Sequence, residues 1–103
     1  MDSIIPGDQE GVCFICGSHD RVESHHIFGA SDRPVSEHYG LKVHLCNWHH
    51  HSEVGAHGRD GKSLQKYLHE LGQQEIEKQW VSEGLSPEGA RNRFRNEFRM
   101  SYL

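Results

Sequence analysis

The chain has 103 residues, 34% of them hydrophobic, and carries 11 Lys and Arg against 15 Asp and Glu for a formal net charge of −4. No apolar run is long enough to span a membrane, and Met1–Pro6 lacks the basic and apolar regions of a secretory leader, so neither a membrane nor an exported protein is expected. The 3 cysteines cannot pair evenly, which argues against a disulfide framework and for a reducing, cytoplasmic setting. The length suits one domain with a modest core, which a bound metal would reinforce.

In chain order, residues 1–11 carry Pro6, Gly7 and Gly11 and read as a loose lead-in. Cys13-Phe-Ile-Cys16, closed by Gly17, has the form of a zinc knuckle, whose turn needs a conformationally permissive residue. Arg21–Phe28, with β-branched Val22 and Ile27, predicts a strand that stops at Gly29, and Ala30–Gly40, with Pro34, predicts a loop. Leu41–Leu45 alternates apolar and polar as a second strand does. Cys46–Glu53 begins a helix, and the three glycines of Val54–Gly61 make the next stretch a loop.

Lys62–Trp80 predicts a helix with Leu64, Leu68, Leu71, Ile76 and Trp80 on its apolar side, interrupted at Gly72. Ser86 as N-cap and Pro87 at the first helical position open another. In it Ala90, Phe94, Phe98 and Tyr102 recur every four residues as a packing stripe. Arg91, Arg95 and Arg99 recur one position on and are expected to share an adjacent, solvent-facing side. Between Ser86 and Leu103 four arginines face only Glu88 and Glu97, so this end of an otherwise acidic chain is either a phosphate-contacting surface or an exposed helix face that the arginines keep soluble.

The chemistry concentrates in the first half. Of 10 histidines, eight lie between His25 and His57. Imidazole and thiolate are the preferred ligands of zinc, and His is the usual general base near neutral pH. Cys13 and Cys16, a spacer of 29 residues, then Cys46 and His49 form a four-ligand zinc set, with His44, His50 and His51 as competitors for the fourth position. Successive helical residues point about 100° apart. If His49 faces the knuckle, His50 is free to join His25 and His57 around a second metal. His26 then stands beside that metal unliganded, suited to deprotonate a water. The plainer alternative is that these histidines all serve one zinc site or cap backbone groups.

Val22-Glu-Ser-His25-His26-Ile-Phe-Gly29, then Gly40–Cys46 and His49-His50, resembles the HNH endonuclease family. The likeness is strongest to its small phage and prophage members, which place a Cys-x-x-Cys before the motif and end on a Gly-x-His such as Gly55-Ala-His57. It covers Cys13 to His57 with good specificity and extends less specifically to Phe94–Phe98 and Ser101–Leu103. The resemblance implies an α+β chain with a ββα-metal core on a zinc-stabilised, treble-clef-like frame, followed by C-terminal helices. It implies hydrolysis of DNA phosphodiesters with a divalent cation such as Mg²⁺, in the cytoplasm of a bacterial host cell.

Under that resemblance His26 matches the general base, His25 and His50 match ligands of the catalytic cation, and His57 is the third ligand. Cys13, Cys16, Cys46 and His49 hold structural zinc. The pattern is broken at one point: the family's middle Asn, which braces the loop between the strands near Leu41, has no counterpart, and neither His44 nor Asn47 follows the pattern. The expected organisation is a single nuclease domain, with a lead-in over 1–11, the knuckle and metal core over 12–61, and helices over 62–103. The alternative is a non-catalytic zinc module that recognises DNA or a host protein.

Overall fold

The computed structural model describes all of residues 1–103. Two short strands, β1 (Glu23–His26) and β2 (Lys42–Leu45), pair antiparallel, with His25 opposite Val43 and His26 opposite Lys42. Strand residues alternate faces. His25, Val43 and Leu45 therefore turn inward and are buried, while His26, Lys42 and His44 lie on the other face, partly covered. The first strand is shorter than the sequence suggests at both ends. Ile27 and Phe28 still pack in the core, and the Ile27 N–H donates to Leu41 O at 2.9 Å.

The segment expected as a loop, 30–40, is largely helical. A 3₁₀ turn (Ala30–Asp32) leads into α1 (Arg33–Tyr39), with Pro34 in its first turn. There a proline costs nothing, because the missing N–H has no intrahelical partner in any case. Pro34 reads as a breaker in sequence and acts as a starter.

The lead-in is not loose either. A two-stranded sheet is marginal alone, and its open edges need partners. Residues 3–14 supply them to β2. Ser3 Oγ donates to Lys42 O at 2.6 Å, the Phe14 N–H donates to His44 O at 2.7 Å, and Asp8 Oδ1 accepts the His44 N–H at 2.8 Å. Ile5 is buried beneath this cover.

α2 (Asn47–His51) follows β2 directly. After a tight loop come α3 (Lys62–Ser82) and α4 (Pro87–Phe98), which pack on each other and close the core with Leu68, Ile76, Trp80, Ala90, Phe94 and Phe98. Gly72 does not interrupt α3. A Cβ there would stand 3.1 Å from Ile27 Cγ2 and 3.3 Å from Phe28 Cε2, so the glycine lets the helix lie close on the end of β1. α4 starts as the sequence predicts, with Ser86 Oγ accepting the Gly89 N–H at 3.0 Å.

The end of α4 departs from the expected stripe. Arg99 turns left-handed (φ 65°) and stops the helix, so Tyr102 returns on a reversed chain. Buried Gln73 pins that chain, accepting the Tyr102 N–H at 2.7 Å and donating to Ser101 Oγ at 3.0 Å. The Tyr102 ring still reaches Phe28, with centroids 5.2 Å apart, but from outside the helix. No helix is long and apolar enough to cross a membrane.

Candidate metal centre

Cys13, Cys16, Cys46 and His49 converge where the knuckle turn meets the start of α2, and can hold a metal ion. Within the turn the Gly17 N–H donates to Cys13 O at 2.9 Å. Sulfurs bound at about 2.3 Å to one tetrahedral centre stand about 3.8 Å apart. The Cys16 and Cys46 sulfurs are 3.8 Å apart, and His49 Nδ1 lies 3.7 Å from Cys13 Sγ and 3.3 Å from Cys46 Sγ. The spacing is that of ligands around one ion. Burial pushes the Cys13 thiol up, but the N–H groups of Cys46, Cys16 and Ile15 outweigh it and leave its pKa lowered. For Cys16 an N–H from Ser18 acts downward, while burial and the two neighbouring sulfurs leave the pKa raised. Three thiols so close cannot all ionise without a cation among them. His44, a competitor for the fourth position, is instead paired with Asp8, Nδ1 to Oδ2 at 2.8 Å.

A second group, His25, His50 and His57, keeps its nitrogens within 4.8 Å of one another. β1 presents His25 and α2 presents His50. The loop after α2 folds back so that the Ala56 N–H donates to His49 O (2.8 Å) and the His57 N–H to His50 O (3.0 Å), which carries His57 over His50. This closure needs Gly55, where a Cβ would meet Trp48 O at 2.7 Å. The ring centroids lie 4.6 to 5.1 Å apart. Neither ring nitrogen of buried His50 has a hydrogen-bond partner. A buried polar group left so costs about 1–3 kcal/mol, which a cation taking the lone pair would relieve. Burial first, then the neighbouring His50 and His57, holds His25 down to about 3, so its ring is neutral and ready to ligate at physiological pH. Burial lowers His50 as well.

Unlike the four-residue group, this one opens onto space. His25 and His57 border a cavity of about 360 Å³ together with His26, Gln65, His69 and Tyr102. His26 Nε2 lies 3.2 Å from Glu37 Oε1. The Lys42 ammonium first, and His26 second, hold the Glu37 carboxyl down to about 2. Next to Glu37, fully buried Ser36 accepts the Phe28 N–H at 3.0 Å and donates to Phe28 O at 2.8 Å. It thereby ties α1 to the chain just after His26.

The C-terminal arginines do not share a solvent-facing side as expected. Arg91 is paired with Glu77, Nε to Oε2 at 3.0 Å, because α3 and α4 pack side by side. Arg99 lies beyond the helix in the left-handed turn and pairs with Asp32 at 2.7 Å. Arg95 is exposed on the helix and makes no ion pair.

Compared with protein-family models, curated proteins and solved structures, the chain matches none. The seven candidate metal ligands therefore rest on their own geometry, which brings them together in a group of four and a group of three; Glu23 and His51 also come within ligand distance of His50. Ser36, Glu37 and His69 escape sequence reading. The first two sit in a segment taken as loop. His69 looks like one more polar position on α3, yet it stacks on Phe28 with centroids 5.2 Å apart.

Proposed function

We propose that the protein is a metal-dependent endonuclease of the HNH type that hydrolyses DNA phosphodiester bonds. In this reading β1, β2 and α2 form the ββα-metal unit. Zinc would occupy the Cys13, Cys16, Cys46 and His49 set as a structural ion, and His25, His50 and His57 would hold a divalent cation; three imidazoles suit a transition-metal ion better than Mg²⁺, which prefers oxygen ligands. One observation carries it: the nitrogens of buried His50, which make no hydrogen bond, stand in a triangle with His25 and His57, beside a cavity that His26 also borders. A closed four-ligand set suits structure, whereas three ligands with an open side suit catalysis.

His26 is the general base. With Nε2–H donating to Glu37, Nδ1 keeps its lone pair for a water proton. The water oxygen forms a bond to phosphorus as its proton passes to His26, the bond from phosphorus to the leaving sugar oxygen breaks, and that oxygen takes a proton from solvent water while His26 returns its own to solvent. A divalent cation in the histidine group supplies charge stabilisation for the phosphate and the leaving oxygen. Ser36 supports this reading over a non-catalytic module, because it braces the loop after β1 in place of the family's absent Asn.

The test is nicking of supercoiled plasmid with Mg²⁺ or Mn²⁺ and EDTA controls. Cleavage should need the cation and disappear in His26→Ala. Protein that holds zinc, is folded, and nicks nothing with either cation would overturn the reading.

A further inference from the structure

We propose that Arg33 is a phosphate-binding residue of the histidine centre, gripping a nonbridging oxygen of the substrate; this rests on the nuclease reading above. Most of the arginines have their charge taken up by a neighbour. Arg21 pairs with Asp20, Arg59 with Glu53 and Asp60, Arg91 with Glu77, and Arg99 with Asp32. Arg93 lies over the Trp80 ring, 4.2 Å from its centroid. Two guanidinium groups are left without an acidic or aromatic partner, Arg33 and Arg95. Arg95 sits out on α4 among exposed neighbours.

Arg33 sits elsewhere. It opens α1, seven residues after His26, and borders a second cavity of about 170 Å³ whose other walls include His25, His26, His50 and His57. One small space is thus bordered by the candidate cation ligands, the candidate base and Arg33, an exposed residue whose guanidinium has no ion-pair partner and can swing toward it. A phosphate in that space would meet positive charge from two sides. A planar fork of N–H donors matches two phosphate oxygens at once, which a point charge does not. Metal site and arginine together define a pocket for a phosphodiester or phosphate monoester, independent of base sequence. The backbone reaches this place because α1, with Pro34 in its first turn, starts directly after the 3₁₀ turn Ala30–Asp32. The three-residue 3₁₀ turn sets the distance between His26 and Arg33.

The probe is inorganic phosphate with the zinc-containing protein loaded with Mn²⁺, followed by ³¹P relaxation. Phosphate held beside the bound Mn²⁺ should relax strongly in the wild type. Arg33→Gln should bind it about tenfold more weakly, the usual worth of one charge-assisted contact, with Arg33→Lys in between. Because Arg33 is exposed, both variants should keep the wild-type melting temperature. On DNA, measured in a His26→Ala background, Arg33→Gln should remove about 0.9 from the slope of log affinity against log salt. Equal phosphate affinity in wild type and Arg33→Gln, or no phosphate relaxation in the wild type, overturns the proposal. Arginine-dependent phosphate binding in a protein that nicks no DNA upholds the site and removes the nuclease reading instead.

Discussion

Two groups of side chains that could hold a metal ion meet α2 one residue apart, at His49 and His50, and they differ in what surrounds them. His49 turns into the knuckle, where two cysteines on one turn and a third at the head of the helix enclose it. His50 turns the other way, toward a strand histidine and a loop histidine beside open cavities. The first group joins residues up to 36 positions apart and supplies four ligands, a full tetrahedral set with no position left for substrate. The second adds little topology, because β1, β2 and α2 are already tied by backbone hydrogen bonds and an apolar core. A closed group should govern whether the chain folds and an open one what it does. One short helix can serve both because its successive residues point about 100° apart.

The largest effect should come from breaking the closed group. Cys46→Ala removes one ligand and the thiolate charge, and apparent zinc binding energies of about 10–16 kcal/mol in small zinc domains are folding energy. That exceeds the roughly 5–15 kcal/mol of a typical domain, so Cys46→Ala should lose its cooperative thermal transition along with its zinc. His50→Ala should retain both and lose affinity for Mn²⁺ alone. A Cys46→Ala protein that melts like the wild type without zinc would erase the distinction between the two groups.

Next is the chemistry of the open group. His26→Ala should keep its zinc, its fold and its DNA affinity while cleavage falls by about 10²–10⁴-fold, the usual worth of a general base. Nicking equal to wild type would move the role to another imidazole bordering the same cavity, with His57 and His69 the first to test.

The two groups were not equally legible in sequence. Ligand spacing exposes the closed one, since Cys-x-x-Cys and Cys-x-x-His are local patterns with few other uses. The divergent directions of His49 and His50, about 100° apart, follow from helical geometry alone. What surrounds His26 was hidden, because Ser36 and Glu37 work from a helix that Pro34 disguises as a loop. The C-terminal arginines misled for a related reason: periodicity locates a helix face but not the acid across from it. Glu77 on α3 takes up Arg91, and the left-handed turn at Arg99, which no glycine announces, sends that side chain to Asp32. The tethering of the lead-in to β2 runs through the Ser3 and Asp8 side chains and the Phe14 N–H onto strand residues roughly thirty to forty positions on, and nothing local in the sequence marks those pairings.

The open group should also leave a mark on acid stability. His25 is held at about 3 in the folded chain, against an ordinary 6.5, by burial and by His50, His57, His26 and His69 around it. Below pH 6.5 the unfolded chain takes up a proton at this residue that the folded chain refuses until near pH 3. Stability must therefore fall as pH drops through that window, by up to about 1.4 kcal/mol per pH unit. Denaturant melts between pH 7.5 and 5.5, on zinc-containing protein free of other divalent ions, should show a steeper decline for wild type than for His25→Asn. Parallel curves would mean that His25 is not shielded as the packing implies.

The smallest expected effect sharpens the open group most, because it separates orientation from presence. In Glu37→Gln the new amide oxygen can still accept from His26 Nε2–H, but the bond is no longer charge-assisted and the contacts from Lys42 weaken with it. A charge-assisted hydrogen bond is roughly twice as strong as a neutral one, a difference of about 1 kcal/mol. On that basis kcat for nicking should fall between five- and tenfold. KM, zinc content and melting temperature should stay near wild type, since the carboxylate touches neither metal group. Nitrogen-15 spectra give a reading independent of activity. His26 should be the Nε2–H tautomer in wild type and lose that preference in Glu37→Ala. If Glu37→Ala leaves both the tautomer and kcat unchanged, the base is oriented by the strand alone. Glu37 then serves only to tie α1 to Lys42 across the outer face of the sheet.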